Sequence, residues 1–164
     1  MNAKLYPTKN GLPPKIRQAM VGLLNQQLAD ILDLGLQTKQ AHWNVKGPHF
    51  IGLHELFDKV AEELEEFTDG IAERAVELGG TALGTLQSVS KQSRLPDYPV
   101  HLTTGKSHVE QLSTALALFG TTTRAAIEKA AKTGDADTSD LFTEVSRGVD
   151  KLVWMVEAHL QAKD

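Results

Sequence analysis

"LHELFDKVAEELEEFTDGIAERAVELGG", residues 53–80, is the stretch on which the fold turns. Leu53, Phe57, Val60, Leu64, Phe67, Ile71, Ala75 and Leu78 recur three or four residues apart, so they stack along one face of an α-helix. Gly79-Gly80 then stops it, since glycine readily adopts the backbone that closes a helix C-terminus. A helix with one apolar stripe must bury that stripe against other elements, and the neighbouring sequence supplies them.

Upstream, Ile16, Met20, Leu24, Leu28, Ile31 and Leu34, followed by Thr38, predict a helix that begins after Pro14 and ends near Val45, before Gly47-Pro48. Downstream, residues 81–104 are mixed. Leu83, Leu86 and Val89 permit a short helix, and Pro96 and Pro99 forbid a longer one. A third long helix fits Val109, Leu112, Leu116, Phe119, Ala126 and Ala130 and ends at Gly134. A fourth fits Phe142, Val145, Val149, Leu152 and Val156, reaching His159 or Leu160, with "DADTSD" offering its N-cap. No stretch alternates β-branched residues over a strand's length. Two helical hairpins joined by one long connection predict an all-α protein, a ferritin-like four-helix bundle with a short helix in the crossover between helices 2 and 3. Residues 1–14, with Pro7, Gly11, Pro13 and Pro14, read as a flexible basic arm, and residues 15–164 as the bundle domain.

At 164 residues, 41% hydrophobic and 23% charged, the chain suits one globular domain. It has no cysteine, so disulfides and thiolate chemistry are excluded and any metal must be held by imidazole and carboxylate. No apolar run approaches the ~20 residues of a membrane span, and no signal-peptide core begins the chain, so a cytoplasmic location and no membrane partner are expected. The net charge of −4 is uneven. Residues 1–29 carry Lys4, Lys9, Lys15 and Arg17 and no acid, whereas all 21 acidic residues lie beyond. This is a basic tail on an acidic body.

Helix 2 also holds two polar pairs, His54 with Asp58 and Asp69 with Glu73, each four residues apart and so on one helical face. The eleven residues from Asp58 to Asp69 turn the helix to nearly the same side and advance it by roughly 16 Å. One ion cannot bridge both pairs of one helix. The pairs are then two half-sites, a solvated face, or halves completed by another molecule. An antiparallel twofold copy of helix 2 would set its Asp69 and Glu73 opposite His54 and Asp58, giving two equivalent sites per dimer. His42, ending helix 1, joins His54 and Asp58 if those helices are neighbours. Such nitrogen and oxygen donors suit Fe(II), with Mn, Co and Zn as competitors. The Glu-x-x-His device of an intrasubunit di-iron core precedes none of the six histidines.

"TKQAHWNVKGPHFIGLHELFD", "DGIAERAVELGG" and the closing "DKLVWMVEAHL" together resemble the Dps family, the DNA-binding proteins from starved cells or mini-ferritins, over nearly the whole chain. The resemblance implies that His42, His54 and Asp58 of one subunit bind iron with Asp69 and Glu73 of a twofold partner. It further implies a homo-oligomeric shell of twelve subunits and ferroxidase activity, Fe(II) to Fe(III), preferably with hydrogen peroxide rather than oxygen. Ferric mineral is then stored inside. An acidic threefold pore near the start of the last helix is best matched by Asp140, with Asp135 and Glu144 as neighbours. Lys4, Lys9 and Lys15 are candidate contacts to double-stranded DNA, non-specific and salt dependent, which would make the protein nucleoid-associated. Trp43 and Trp154 are read as interface or core packing rather than redox residues, although Trp43, beside His42, could accept an oxidising equivalent. The alternatives are an iron store that does not bind DNA, and a non-enzymatic helical interaction bundle whose His/Asp/Glu face is merely solvated.

Overall fold

The computed structural model describes residues 4–162. Five α-helices follow in order: α1 (Pro14–Asn44), α2 (Phe50–Glu77), α3 (Leu86–Gln92), α4 (Gly105–Thr133) and α5 (Ala136–Glu157), the last running into a 3-10 turn at Ala158–Leu160. No strand occurs among the described residues. A single isolated parallel bridge ties Lys46 to Thr104.

The helix ends follow local chemistry. Pro14 starts α1 at a position whose N–H would be unpaired in any case. Thr85, Thr104 and Asp135 cap α3, α4 and α5 with their side chains. Gly134 closes α4 in the left-handed conformation, φ +93°.

α1 packs mainly on α2 and α4 on α5, while α1 also meets α4 and α2 meets α5. The apolar series read from the sequence converge in the centre, where Leu24, Ile31, Phe57, Leu64, Phe119, Phe142 and Val149 are fully or almost fully buried. Phe67 is an exception within the α2 series. It is only half-buried and lies over Gly148 of α5, where an added Cβ would sit 2.2 Å from Phe67 Cζ. The Phe67 ring fills the space over Gly148, so a side chain at that position would have to displace it. Trp43 and Trp154, both more than 60% exposed, are not core residues.

The crossover is stitched to α1 by a row of polar side chains. Asn25 accepts from Leu83 N–H at 2.8 Å and donates to Thr81 O at 3.0 Å. Gln26 donates to Gln92 O at 2.9 Å, and Gln37 to Pro96 O at 3.0 Å. Asp30, 1% exposed, accepts from Arg94 backbone N–H at 2.9 Å and from its Nε at 3.0 Å. These bonds satisfy backbone groups of a segment that has little helix of its own, and they hold α3 against α1.

Residues 4–13 form no helix and lie across the end of α2. Tyr6 N–H donates to Gly79 O at 2.7 Å. Arg17, buried, donates from Nη1 to Leu78 O at 3.0 Å and from Nε to Leu12 O at 3.1 Å. Gly79 has φ +83°, and a Cβ there would come within 2.6 Å of Tyr6 O, so the contact needs glycine twice over.

Candidate metal centre

The short turn between α1 and α2 brings His42, in the last turn of α1, against His54, in the first turns of α2. The rings stack with centroids 3.8 Å apart and planes 19° from parallel. Each Nδ1 is bonded to the other residue's backbone carbonyl: His42 Nδ1 to His54 O at 2.7 Å, and His54 Nδ1 to His42 O at 2.9 Å. A carbonyl can only accept, so both Nδ1 atoms carry the hydrogen. In the neutral rings both Nε2 atoms therefore keep a free lone pair, the tautomer that a metal ion requires. Phe50 flanks His54, its ring centroid 5.1 Å away.

Asp58, one turn along α2 from His54, has Oδ1 3.9 Å from His42 Nε2. The same oxygen accepts from Lys39 Nζ at 2.5 Å. Lys39 also lies 6.0 Å from the centroid of the Trp43 ring. The Lys39 hydrogen bond holds the Asp58 carboxyl below its ordinary value; burial opposes it, and the charges of His42, Lys39 and His54 assist. Asp58 is thus an anion at neutral pH, paired with the Lys39 ammonium.

Asp69 and Glu73 are exposed further along α2. Together with Lys39 and Asp58 they line a groove of about 1380 Å³ that runs over α1 and α2 to Gly84, Leu86 and Val89 of the crossover. Leu36 and Leu86, more than half exposed, form its apolar walls. Among the described residues of one chain, no three His, Asp or Glu side chains converge to hold an ion. His42, His54 and Asp58 are brought together; Asp69 and Glu73 stand apart from them in the same groove.

The acidic residues of α5 divide. Asp140 and Glu144 are exposed. Asp135 is 1% exposed and turned inward: its Oδ1 accepts from Arg74 Nη2 at 2.9 Å and from Thr138 N–H at 3.1 Å, and its Oδ2 from Thr138 Oγ1 at 2.6 Å. Its carboxylate is a cap and an internal ion-pair partner, which does not suit it to a pore wall. Lys4, Lys9 and Lys15 are exposed, with Lys4 Nζ 5.7 Å from the centroid of the Tyr6 ring.

A ferritin-like domain model matches residues 21–163. The chain is 45% identical over 160 residues to the DNA protection during starvation protein of Agrobacterium fabrum, covering 98% of this chain and 99% of that one. It belongs to the Dps family. Solved Dps structures share the fold: DpsA14 from Streptomyces coelicolor superposes with a TM-score of 0.92 at 31% identity, over 99% of this chain and 96% of that chain. The Dps protein of Vibrio cholerae, described as a member of a broad superfamily of ferritin-like diiron-carboxylate proteins, gives a TM-score of 0.88 at 28% identity, over 98% of this chain and the whole of that one.

The Lys39 contact predicts a measurable titration. In the metal-free protein the Asp58 carboxyl, followed by NMR, should titrate below the ordinary aspartate value of 3.8, and in Lys39→Gln it should move back up. The sign follows from linkage: a depressed carboxyl stabilises the fold above its unfolded-state value and loses that contribution as pH falls through the folded value. An unshifted Asp58 in Lys39→Gln would mean that the ion pair does not persist in solution.

Proposed function

We propose that this chain forms a closed homo-oligomeric shell, of twelve subunits, that oxidises Fe(II) at sites shared by twofold-related subunits and stores the ferric product, and so protects DNA. The observation that carries this reading is the pair of Nε2 lone pairs fixed by reciprocal Nδ1 bonds beside Asp58. Two imidazoles and one carboxylate under-coordinate an ion, and Asp69 and Glu73 supply the missing oxygen donors only from a second copy. A twofold laid along the groove of α1 and α2 would bring them there and would cover Leu36 and Leu86, which line it. The Agrobacterium fabrum relative is named for DNA protection during starvation, which agrees with this role.

Two Fe(II) substrates, paired on one peroxide, each give it one electron. The O–O bond breaks, two protons are taken up, and two waters leave with two Fe(III). Paired delivery avoids the one-electron step that releases hydroxyl radical. Asp140, exposed on α5 with Glu144 one turn on, would draw cations toward the interior through an acidic pore. The reading implies action in the cytoplasm, close to the nucleoid.

The test is to add Fe(II) anaerobically, then peroxide, and follow ferric absorbance against peroxide consumed. Two Fe(II) per peroxide is expected; equal consumption, with trapped hydroxyl radical, would sink the paired mechanism. Co-assembly of His54→Ala and Asp69→Ala chains tests sharing directly. Each mixed dimer holds one doubly damaged site and one intact site, so activity absent from both parents should reappear. No recovery means that each chain works alone.

Direct binding of DNA would run through the N-terminal arms. An acidic body repels the duplex, and each arm offers only Lys4 and Lys9, with Lys15 at its base, although many arms on one particle reinforce each other. A DNA mobility shift at low salt should vanish on deletion of residues 1–14, and the log–log salt slope should fall by about one unit for each phosphate no longer neutralised. A shell active on iron that never shifts DNA is an iron store that protects by chemistry alone.

A further inference from the structure

Behind the candidate metal centre lies a second pair of side chains that the proposed reaction does not use. Tyr98 Oη, in the crossover, is 2.6 Å from His108 Nδ1, near the start of α4, and the two rings are 17° from parallel. His108 is 1% exposed; its buried Nε2 makes no hydrogen bond of good geometry, although backbone groups of Leu102 and Asn44 face the ring. The pair sits at the same end of the bundle as His42 and His54. The backbone of Asn44, two residues past His42, faces the His108 ring. Gly105 of α4 packs on Leu53, the residue before His54, so closely that an added Cβ would lie 2.5 Å from Leu53 Cδ1.

Burial pushes His108 below the ordinary imidazole value and Tyr98 above the ordinary phenol value, so both are neutral in the resting protein. The phenol then donates to Nδ1, and Nε2 carries the other ring hydrogen. The backbone groups of Leu102 and Asn44 favour the charged ring should it gain a proton. A bond that merely pinned the crossover to α4 would not require a base at its buried end. A phenol, however, gives up an electron readily only when its proton has a base to receive it. His108 supplies that base at contact distance.

We propose that Tyr98 and His108 form a redox pair that holds one oxidising equivalent when iron arrives singly. This rests on the iron-oxidising reading above. A lone Fe(II) gives peroxide one electron and Tyr98 gives the second, while the phenolic proton passes to His108 Nδ1. The O–O bond breaks, two protons enter from solvent, and two waters leave. The products are Fe(III), a tyrosyl radical and an imidazolium. A second Fe(II) then returns the electron to Tyr98 and His108 returns the proton, so two Fe(II) are still spent per peroxide and no hydroxyl radical escapes.

Tyr6 and Tyr98 are the only tyrosines, which makes the test simple. In the first arm, without iron, a photogenerated ruthenium(III) polypyridyl oxidant is flashed onto the assembled protein and the frozen sample is read by electron paramagnetic resonance. A tyrosyl signal is expected in wild type and in Tyr6→Phe, and its loss in Tyr98→Phe, which keeps the ring and removes only the hydroxyl. A signal that survives in Tyr98→Phe, or a tryptophanyl signal that disappears only in Trp43→Phe, would overturn the pair. In the second arm, substoichiometric Fe(II) is added with peroxide and a spin trap. Tyr98→Phe should release trapped hydroxyl radical where wild type does not; equal trapping in both overturns the proposed role. If wild type oxidises no iron at all, the iron reading fails, and the first arm still decides the pair.

Discussion

Replacing His42 and His54 together by alanine should slow peroxide-driven oxidation of Fe(II) by at least ~100-fold, since losing even the groups that orient a ligand commonly costs 10–100-fold. Stopped-flow ferric absorbance measures it, with circular dichroism to verify that the helices persist. The double change removes both Nε2 donors and also both Nδ1–H bonds that clasp α1 to α2. The two effects separate in the single variant His54→Gln, whose amide can still donate to His42 O but offers no imidazole lone pair. A fall in rate with an unchanged melting temperature assigns the loss to ligation. Oxidation as fast in the double variant as in wild type would remove this site from the mechanism altogether.

Phe119→Ala should carry the largest stability effect. Its ring is fully buried in α4 at the bundle centre, and such truncations cost about 3–5 kcal/mol through lost transfer energy and the cavity left behind. That is a large share of the ~5–15 kcal/mol that holds a domain together, and for a chain of this size it lowers the melting temperature by about 10 °C. Leu118→Ala, on the neighbouring position and 38% exposed, is the comparison, with a far smaller expected effect in an isolated subunit. Both melts belong at one fixed subunit concentration, because assembly itself adds stability. A Leu118→Ala loss that matched Phe119→Ala would locate Leu118 in a subunit interface.

Most of this architecture was legible because each long helix announces itself through a run of same-face apolar residues closed by glycine or proline. Gly79-Gly80 and Gly134 mark ends that the structure keeps, and Pro96 with Pro99 limits the crossover helix to Leu86–Gln92. The stitching of that crossover was not legible. Asn25, Gln26, Asp30 and Gln37 look like solvent-facing residues of α1, and the partners that turn them inward lie some sixty positions further on, at Leu83, Gln92, Arg94 and Pro96. Asp135 misled for the same reason: an acid at a helix start signals a cap, and nothing nearby reveals that Arg74 of another helix reaches it.

At the site, spacing alone set His54 and Asp58 on one face and separated them from Asp69 and Glu73 by a length no single ion spans. Whether His42 joins them depends on how α1 meets α2, which periodicity does not encode. The clasp of two imidazoles on each other's carbonyls is a property of the turn and of the crossing, and no helical wheel contains it. Phe67 likewise fits the apolar stripe of α2, yet its partial burial follows from Gly148, on a helix that begins far later in the chain.

That clasp has a consequence for turnover. Ligands that order only around their ion release ordering entropy when the ion leaves, and so hold it as part of their own folding. Here both imidazoles, His42 and His54, already have their orientation from main-chain oxygens. Arrival demands little rearrangement, and departure leaves the helices as they were. In the proposed reaction such a station would serve passage rather than retention: each oxidised ion could move on, and the vacated imidazoles would stand ready for the next.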